Sequence, residues 1–330
     1  MTASDRSTAG LLTAVVPFLN ETAVLNAFFE RLMPQLAATG MRHEVVCVDN
    51  CSTDDTPAQL LAWRERHPEI KVVRFSRYFG KEAALAAGLR YARGDAVIVM
   101  DPDLQDPPEM IAEFLEKWRE GYDIVYATRR LSGIETGLKA FLNTLFYRFF
   151  NFISETNIPQ KTGDFRLLDR RIIMILRQLP ERSRFLRGLS SWVGFRSTSI
   201  LFDRPPRPVG RSKSNYLFLW GYALDAILSS TTRPLRIWTY IGFGVSLLAL
   251  LAGIALIARR LIFGMDVPGF ASVMVGILFM GGFQLISIGV VAEYVGRIYR
   301  EVQNRPLYIV DRAYGIEEDV PAWAAREGQD

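Results

Sequence analysis

Five short runs rich in β-branched residues set the terms on which this chain of 330 residues can fold. They are LLTAVVP (Leu11–Pro17), HEVVCVD (His43–Asp49), KVVRF (Lys71–Phe75), DAVIVM (Asp95–Met100) and YDIVYAT (Tyr122–Thr128). Runs this short and this apolar read as strands buried on both faces. Between them lie helical stretches: Thr22–Ala38, a segment capped by Thr53 or Asp54 and ending at Arg66, then Gly80–Arg93 and Pro107–Glu120. Ala83, Ala84, Ala87 and Gly88 give the third of these a small-residue face suited to close packing on a sheet. Strand alternates with helix, which predicts an α/β domain with a mostly parallel sheet. Such sheets bind ligands outside the carboxyl ends of their strands. The residues that follow each run are therefore where function is sought.

The fourth run leads into DPDLQDPPE, Asp101–Glu109. Pro102 disfavours the helical region for Asp101, and in an extended backbone a spacing of two points both Asp101 and Asp103 the same way. Two hard oxygen ligands on one side suit Mg²⁺ or Mn²⁺ held jointly with substrate phosphates. Asp106 reads differently, as an N-cap with Pro107 at N1 and Glu109 at N3 completing a capping box. After the first strand, Asn20 and Glu21 fit either a nucleotide's base and ribose or a helix cap. After the second, Asp49 can accept hydrogen bonds from a base or ribose, while Asp54 and Asp55 read as caps. After the third, Arg77 or Lys81 can reach a diphosphate from a loop that opens a helix.

Downstream the character changes. Leu138, Phe141, Leu142, Leu145, Phe146, Phe149, Phe150 and Ile153 recur at helical spacing. This stripe is read either as core or as an interfacial helix lying on a bilayer over 138–153. Ile237–Ile257 and Phe270–Ala292 are uncharged and long enough to span a bilayer. Glycines 276, 281, 282 and 289 in the second suit close helix packing. Arg233 and Arg236 precede the pair, and Arg297, Arg300 and Arg305 follow it, which puts both termini in the cytoplasm; Arg259 and Arg260 lie on the other side and weaken that reading. Net charge is −6 over residues 1–126, +11 over 127–215 and −1 over 216–330, giving +4 for the chain. The basic excess thus sits just before the membrane part and points to an anionic partner, with lipid or phosphate ahead of nucleic acid, for which no motif is present. The polar N-terminal stretch MTASDRSTAG is not a signal peptide. Cys47 and Cys51 fit no CxxC or zinc pattern and are expected reduced, Cys47 in a strand and Cys51 in a loop.

VVPFLNE, VDNCSTDDT, SRYFGKEAAL and DPDLQD, in that order, resemble glycosyltransferase family 2 with its GT-A (Rossmann-like) fold. TGDFRLLDR (Thr162–Arg170), RPPRPVGRSKSNY (Arg204–Tyr216) and a pair of C-terminal spans are similar to the polyprenyl-phosphate branch of that family. The resemblance covers about residues 11–312. It implies that Asp101, Asp103 and Gln105 hold a divalent metal, Mg²⁺ or Mn²⁺, and the diphosphate. It implies further that Pro17, Asn20, Glu21 and Asp49 line the nucleotide pocket, that Lys81 lies near the donor and that Asp164 lies near the acceptor. Arg204, Arg207, Arg211 and Lys213 would bind phosphate of the lipid or the donor. Where the family often has Asp-Gly this chain has Asn50 and Cys51, and its Gly-x-Ser-Lys-Tyr-like run is here GRSKSNY.

The implied activity is metal-dependent, inverting transfer of one hexose from a nucleotide sugar, UDP-glucose or a relative, to polyprenyl phosphate. Residues 1–215 would form the catalytic domain, 216–236 a juxtamembrane segment, 237–296 two transmembrane helices and 297–330 a cytoplasmic tail. The protein would sit as a multi-pass protein in the cytoplasmic (inner) membrane. Two other readings are a processive polysaccharide synthase, which usually needs more spans, and a non-catalytic nucleotide-binding membrane scaffold, against which the intact Asp101/Asp103 pair, Asp164 and Lys213 argue. Self-association stays open.

Overall fold

The structure, a computed structural model, describes residues 6, 10–130, 162–179, 181, 186–203, 233–263 and 269–316. The stripe over 138–153 and the basic run from Arg204 to Lys213 lie outside the described residues. The chain divides into two units, one holding the sheet and one holding two long helices.

In the first unit the elements run β1 (Leu11–Phe18), α1 (Thr22–Ala38), β2 (Arg42–Asp49), α2 (Thr56–Arg66), β3 (Ile70–Phe75), α3 (Lys81–Tyr91), β4 (Ala96–Val99), a 3₁₀ turn (Pro108–Met110) and α4 (Ile111–Arg119). Then come β5 (Ile124–Arg129), β6 (Thr162–Asp169), α5 (Arg170–Gln178), α6 (Leu186–Trp192), β7 (Ser197–Phe202) and, from the tail, β8 (Val310–Tyr314). All eight strands form one sheet in the order β7-β5-β6-β4-β1-β2-β3-β8. Strands β4, β1, β2 and β3 are mutually parallel. β6 runs antiparallel between β4 and β5, and β8 antiparallel on the edge beside β3. The predicted α/β class and mostly parallel sheet are therefore present.

Helices cover both faces. On one, α1, α2 and α4 bury Phe28, Phe29, Trp63, Phe114 and Trp118. On the other, α3, α5 and α6 bury Ala84, Leu85, Ala87, Ile172, Leu176 and Leu186. Small side chains let α3 lie close to the sheet: a Cβ at Gly88 would overlap Val15 Cγ1. Both cysteines carry free thiols, Cys47 buried in β2 and Cys51 in the loop after it.

The second unit consists of α7 (Arg233–Phe263) and α8 (Phe270–Val302). The ring of Trp238 meets that of Phe283 edge-on at 5.2 Å. Among the described residues one helix, over Val273–Val302, is long and apolar enough to cross a membrane by length and composition; the described apolar part of α7, Tyr240–Ala255, is shorter. Large apolar side chains on both helices are exposed, Phe243 at 70% and Leu285 at 71% among them. Among the described residues the four glycines expected to bring helices together have no close neighbour. A Cβ at Gly276, Gly281, Gly282 or Gly289 would meet nothing within 4 Å.

Candidate active site

Register decides where the site lies. Because β6 is antiparallel to β4, Val99 pairs with Arg166. Two residues on from Val99 is Asp101, and two back from Arg166 is Asp164. The carboxyl end of one strand and the amino end of the other thus bring two carboxylates to the same edge of the sheet. Lys81, the first residue of α3, bridges them, with Nζ 2.7 Å from the Asp101 carboxylate and 2.7 Å from Asp164 Oδ2. Pairing of β1 with β4 ends at Val15 and Val99, two residues before the buried Pro17, so the edge is open there.

Asp164 is the buried centre of this cluster, with a side chain 4% exposed. Arg187 from α6 donates to it in a fork, Nε to Oδ1 at 2.7 Å and Nη2 to Oδ2 at 3.0 Å. Beneath lies Arg166, fully buried, donating to the Gly163 and Asp164 carbonyls and to Ser190 Oγ. Burial alone would raise the Asp164 pKa. The Arg187 fork, Lys81 and Arg166 outweigh it and hold the carboxyl well below the usual carboxylate range. Lys81 is held charged in turn: burial opposes the ammonium, but Asp101 and Asp164 raise its pKa. Sequence reasoning missed Arg187, Arg166 and Glu82. Glu82 follows Lys81 on α3 and accepts the Leu186 backbone N–H at 3.0 Å, fixing the start of α6.

The loop after β4 does not stay extended. It bends at Pro102, Asp103 and Leu104, and Leu104 takes φ +60°. Asp103 Oδ1 accepts the Gln105 N–H at 3.1 Å, and Asp106 Oδ2 accepts the Asp101 N–H at 3.0 Å. Asp106 is therefore no helix cap. It closes the acidic loop, and Glu109 forms an ion pair with Arg31 at 2.8 Å instead of a capping box. Burial first, then the charges of Asp101 and Asp103, push the Asp106 carboxyl up to about 7. Among the described residues no three His, Cys, Asp or Glu side chains form a ready metal cage. A pair of hard carboxylates fits an ion that keeps water and phosphate oxygens as its other ligands.

The remaining nucleotide-pocket candidates divide. Asp49 ends β2 fully buried; its Oδ1 accepts the Ser52 N–H at 3.0 Å. Its Oδ2 has no hydrogen-bond partner, although Arg74 Nε is 3.4 Å away. Burial raises its pKa despite the Ser52 hydrogen bonds. Asn20 Oδ1 accepts the Thr53 N–H at 2.8 Å, and the Asn20 N–H donates to Ser52 Oγ, tying the loop after β1 to that after β2. The Glu21 N–H donates to Thr56 Oγ1. Asp54 accepts the Thr56 N–H from one residue outside the N-cap position, which is held by Asp55 without a side-chain cap bond, and also accepts from the Thr22 hydroxyl. The structure thus brings Lys81, Asp101 and Asp164 into direct contact, and places Asp49, Asn20 and Glu21 on the loops that follow β1 and β2 along the same edge.

Known proteins share this framework. Residues 13–176 match the family model described as glycosyl transferase family 2. An uncharacterized glycosyltransferase of Synechocystis is 51% identical over 306 residues, 93% of this chain and 96% of that one. A bactoprenol glucosyl transferase of Shigella phage SfII is 42% identical, over 92% of this chain and 98% of its own. A prophage bactoprenol glucosyl transferase homolog of Escherichia coli is 40% identical, over 91% and 98%. Identity of this level across nearly the full length of each, together with the matched core that carries Lys81, Asp101 and Asp164, leaves one conclusion: the chain belongs to glycosyltransferase family 2.

Proposed function

We propose that this protein moves one glucose from a nucleotide sugar, UDP-glucose, to polyprenyl phosphate at the cytoplasmic face of the membrane, with inversion at the anomeric carbon. The observation that carries this reading is the contact of Lys81 with both Asp101 and Asp164, on a chain whose relatives are named for bactoprenol glucosyl transfer. α7 and α8 would be two spans with both termini cytoplasmic. Arg204, Arg207, Arg211 and Lys213, just ahead of them in sequence, supply forked and point-charge donors for phosphate.

Asp101 and Asp103, with Gln105 beside them, would hold Mg²⁺ or Mn²⁺ together with the donor diphosphate. A divalent ion bound there neutralises charge on the leaving nucleoside diphosphate. Asp49, with an oxygen in want of a donor, would receive the base or ribose alongside Pro17, Asn20 and Glu21. Asp164 is gripped by two cations and is a weak base. None stronger is required, because a phosphate monoester has a second pKa of about 6 and is already mostly ionised at neutral pH. Asp164 instead holds Lys81 and Arg187 where the acceptor oxygen approaches.

The test is transfer itself. Membranes carrying the protein, given polyprenyl phosphate and a panel of radiolabelled nucleotide sugars, should yield labelled organic-extractable lipid from UDP-glucose with Mg²⁺ or Mn²⁺. Label from a different sugar would correct the donor. No lipid-linked label from any sugar would overturn the reading.

A further inference from the structure

Arg187 belongs to none of the motifs that pointed to the site, yet α6 delivers its guanidinium to the centre of it. We propose that Lys81 and Arg187 form one receptor for a substrate phosphate group, with Asp164 as the internal anion that keeps the two cations in register, and Glu82 as the positioning residue that sets Arg187. The inference rests on the transferase reading above and deepens it by assigning the phosphate contact.

Shape and charge both lead there. The fork that grips both oxygens of Asp164 is the one with which a guanidinium grips two phosphate oxygens. Lys81 meets the same carboxylate from a different element as a point charge. The side chains of Arg187 and Lys81 are 31% and 43% exposed, while that of Asp164, which both hold, is 4% exposed. Arg166 lies underneath as a third positive group beside Asp164. An arriving phosphate can share both donors without first stripping a buried acid bare.

Glu82 makes the arrangement specific. Lys81 and Glu82 are consecutive on α3: one holds Asp101 and Asp164, the other holds the Leu186 N–H, the residue before Arg187. One turn of α3 therefore fixes both cations relative to each other. Two phosphates share this chemistry, the acceptor monoester and the donor diphosphate.

The experiment compares full-length wild type with Arg187→Ala, Arg187→Lys, Glu82→Ala and Glu82→Gln in detergent. Binding of a short-chain polyprenyl monophosphate, and separately of UDP with Mg²⁺, is measured by calorimetry, with thermal unfolding run alongside. Arg187→Ala should lose tenfold or more of its affinity for one phosphate ligand. Arg187→Lys should recover part of that, and added guanidinium should restore part of the Arg187→Ala loss. Glu82→Ala should weaken the same ligand although it touches none, while Glu82→Gln, which still accepts from Leu186, should stay near wild type. Loss confined to the polyprenyl phosphate assigns the acceptor, and loss confined to UDP assigns the diphosphate. Unchanged affinity for both in a folded Arg187→Ala overturns the proposal. If Arg187→Ala does not fold, wild-type affinity in Arg187→Lys overturns it. A wild type that binds both ligands in an Arg187-dependent way but transfers no sugar would defeat the transferase reading and leave this one standing.

Discussion

β6 carries an aspartate near each end, and the two have opposite fates. Asp169 and Asp164 are both 5% exposed, and both sit among arginines. Asp169 is enclosed by the buried Arg6 and Trp118, with Arg171, 45% exposed, at its rim. Arg6, with a side chain 3% exposed, meets Asp169 at 3.1 Å and Asp123 at 2.6 Å, Trp118 Nε1 donates to Asp169 Oδ2, and Asp169 Oδ1 caps α5 through the Arg171 N–H. Around Asp164 the partners keep one side in solvent. The same chemistry thus serves to lock one edge of the sheet and to arm the other. Partner exposure does not separate the two, since Arg171 beside Asp169 is as open as Lys81; what differs is that Asp169 is committed to a helix cap, an indole and a buried arginine, whereas the Lys81 that holds Asp164 also holds Asp101.

The largest effect on stability should come from breaking the Asp169 cluster. Asp169→Ala removes a helix cap, an indole acceptor and one partner of a buried arginine at once. Arg6 keeps Asp123 at 2.6 Å, so the cost is that of the lost cap, about 1 kcal/mol, and of an unpaired buried indole N–H, about 1–3 kcal/mol. A matching fall in unfolding free energy is expected by urea titration, with transfer per folded molecule within about twofold of wild type. A large loss of specific activity in the folded fraction would show that the two clusters are coupled.

The open edge should respond the other way round. Asp101→Asn and Asp103→Asn should each lower kcat by about 10²–10³-fold, the loss of about 3–4 kcal/mol typical of one preorganised electrostatic contact in a transition state. Melting temperature should hardly move, because the Asp101 side chain is 25% exposed and already shares Lys81 with Asp164. EDTA should abolish transfer and Mg²⁺ or Mn²⁺ restore it. Full activity in chelator would remove the metal from the account.

Acidity offers a finer probe. Asp164 is held ionised throughout the working range, so the ionisation that limits transfer should be that of the acceptor phosphate. The rate should fall about tenfold per pH unit below roughly 6 and level off above it. Asp164→Asn should lower the plateau without moving the midpoint. A midpoint that moves with this substitution would make Asp164 the proton acceptor after all.

The sequence made the parallel half of the sheet legible, because β1 to β4 each centre on a short apolar, β-branched run and helical stretches separate them. The antiparallel strand that completes the site was not. β6 reads TGDFRLLD, with Asp164 and Arg166 inside it, and both are buried only because they satisfy each other's surroundings. No periodicity rule finds a strand whose interior is ionic. Lys81, Asp101 and Asp164 were visible as motif residues, while Arg187 and Glu82 were hidden, since their role arises from a contact between α3 and α6, about a hundred residues apart. Asp106 was misread for a related reason. A capping pattern in sequence does not reveal that the loop before it will fold back and take the carboxylate.

A last comparison concerns backbone strain at the two edges of the sheet. Turns that enter β2 and β5 take positive φ at Gly40 and Gly121, where no side chain objects. Loops that leave β1, β2 and β4 take it at Asn20, Cys51 and Leu104, with φ +56°, +65° and +60°. Left-handed geometry costs an ordinary residue about 1–2 kcal/mol, and asparagine less. A glycine would take this φ at Cys51 without conflict. Cys51→Gly removes the Cβ conflict but gives the unfolded chain more freedom, so the two effects partly cancel. A net gain of a few tenths of a kcal/mol, up to about 1, is expected. It should register as a small upward shift in melting temperature with transfer unchanged. A loss of stability would mean that the Cys51 side chain contributes packing worth more than the strain it carries. A loss of transfer at unchanged stability would make the stiffness of this loop, which positions Asp49 and Asn50, part of nucleotide binding.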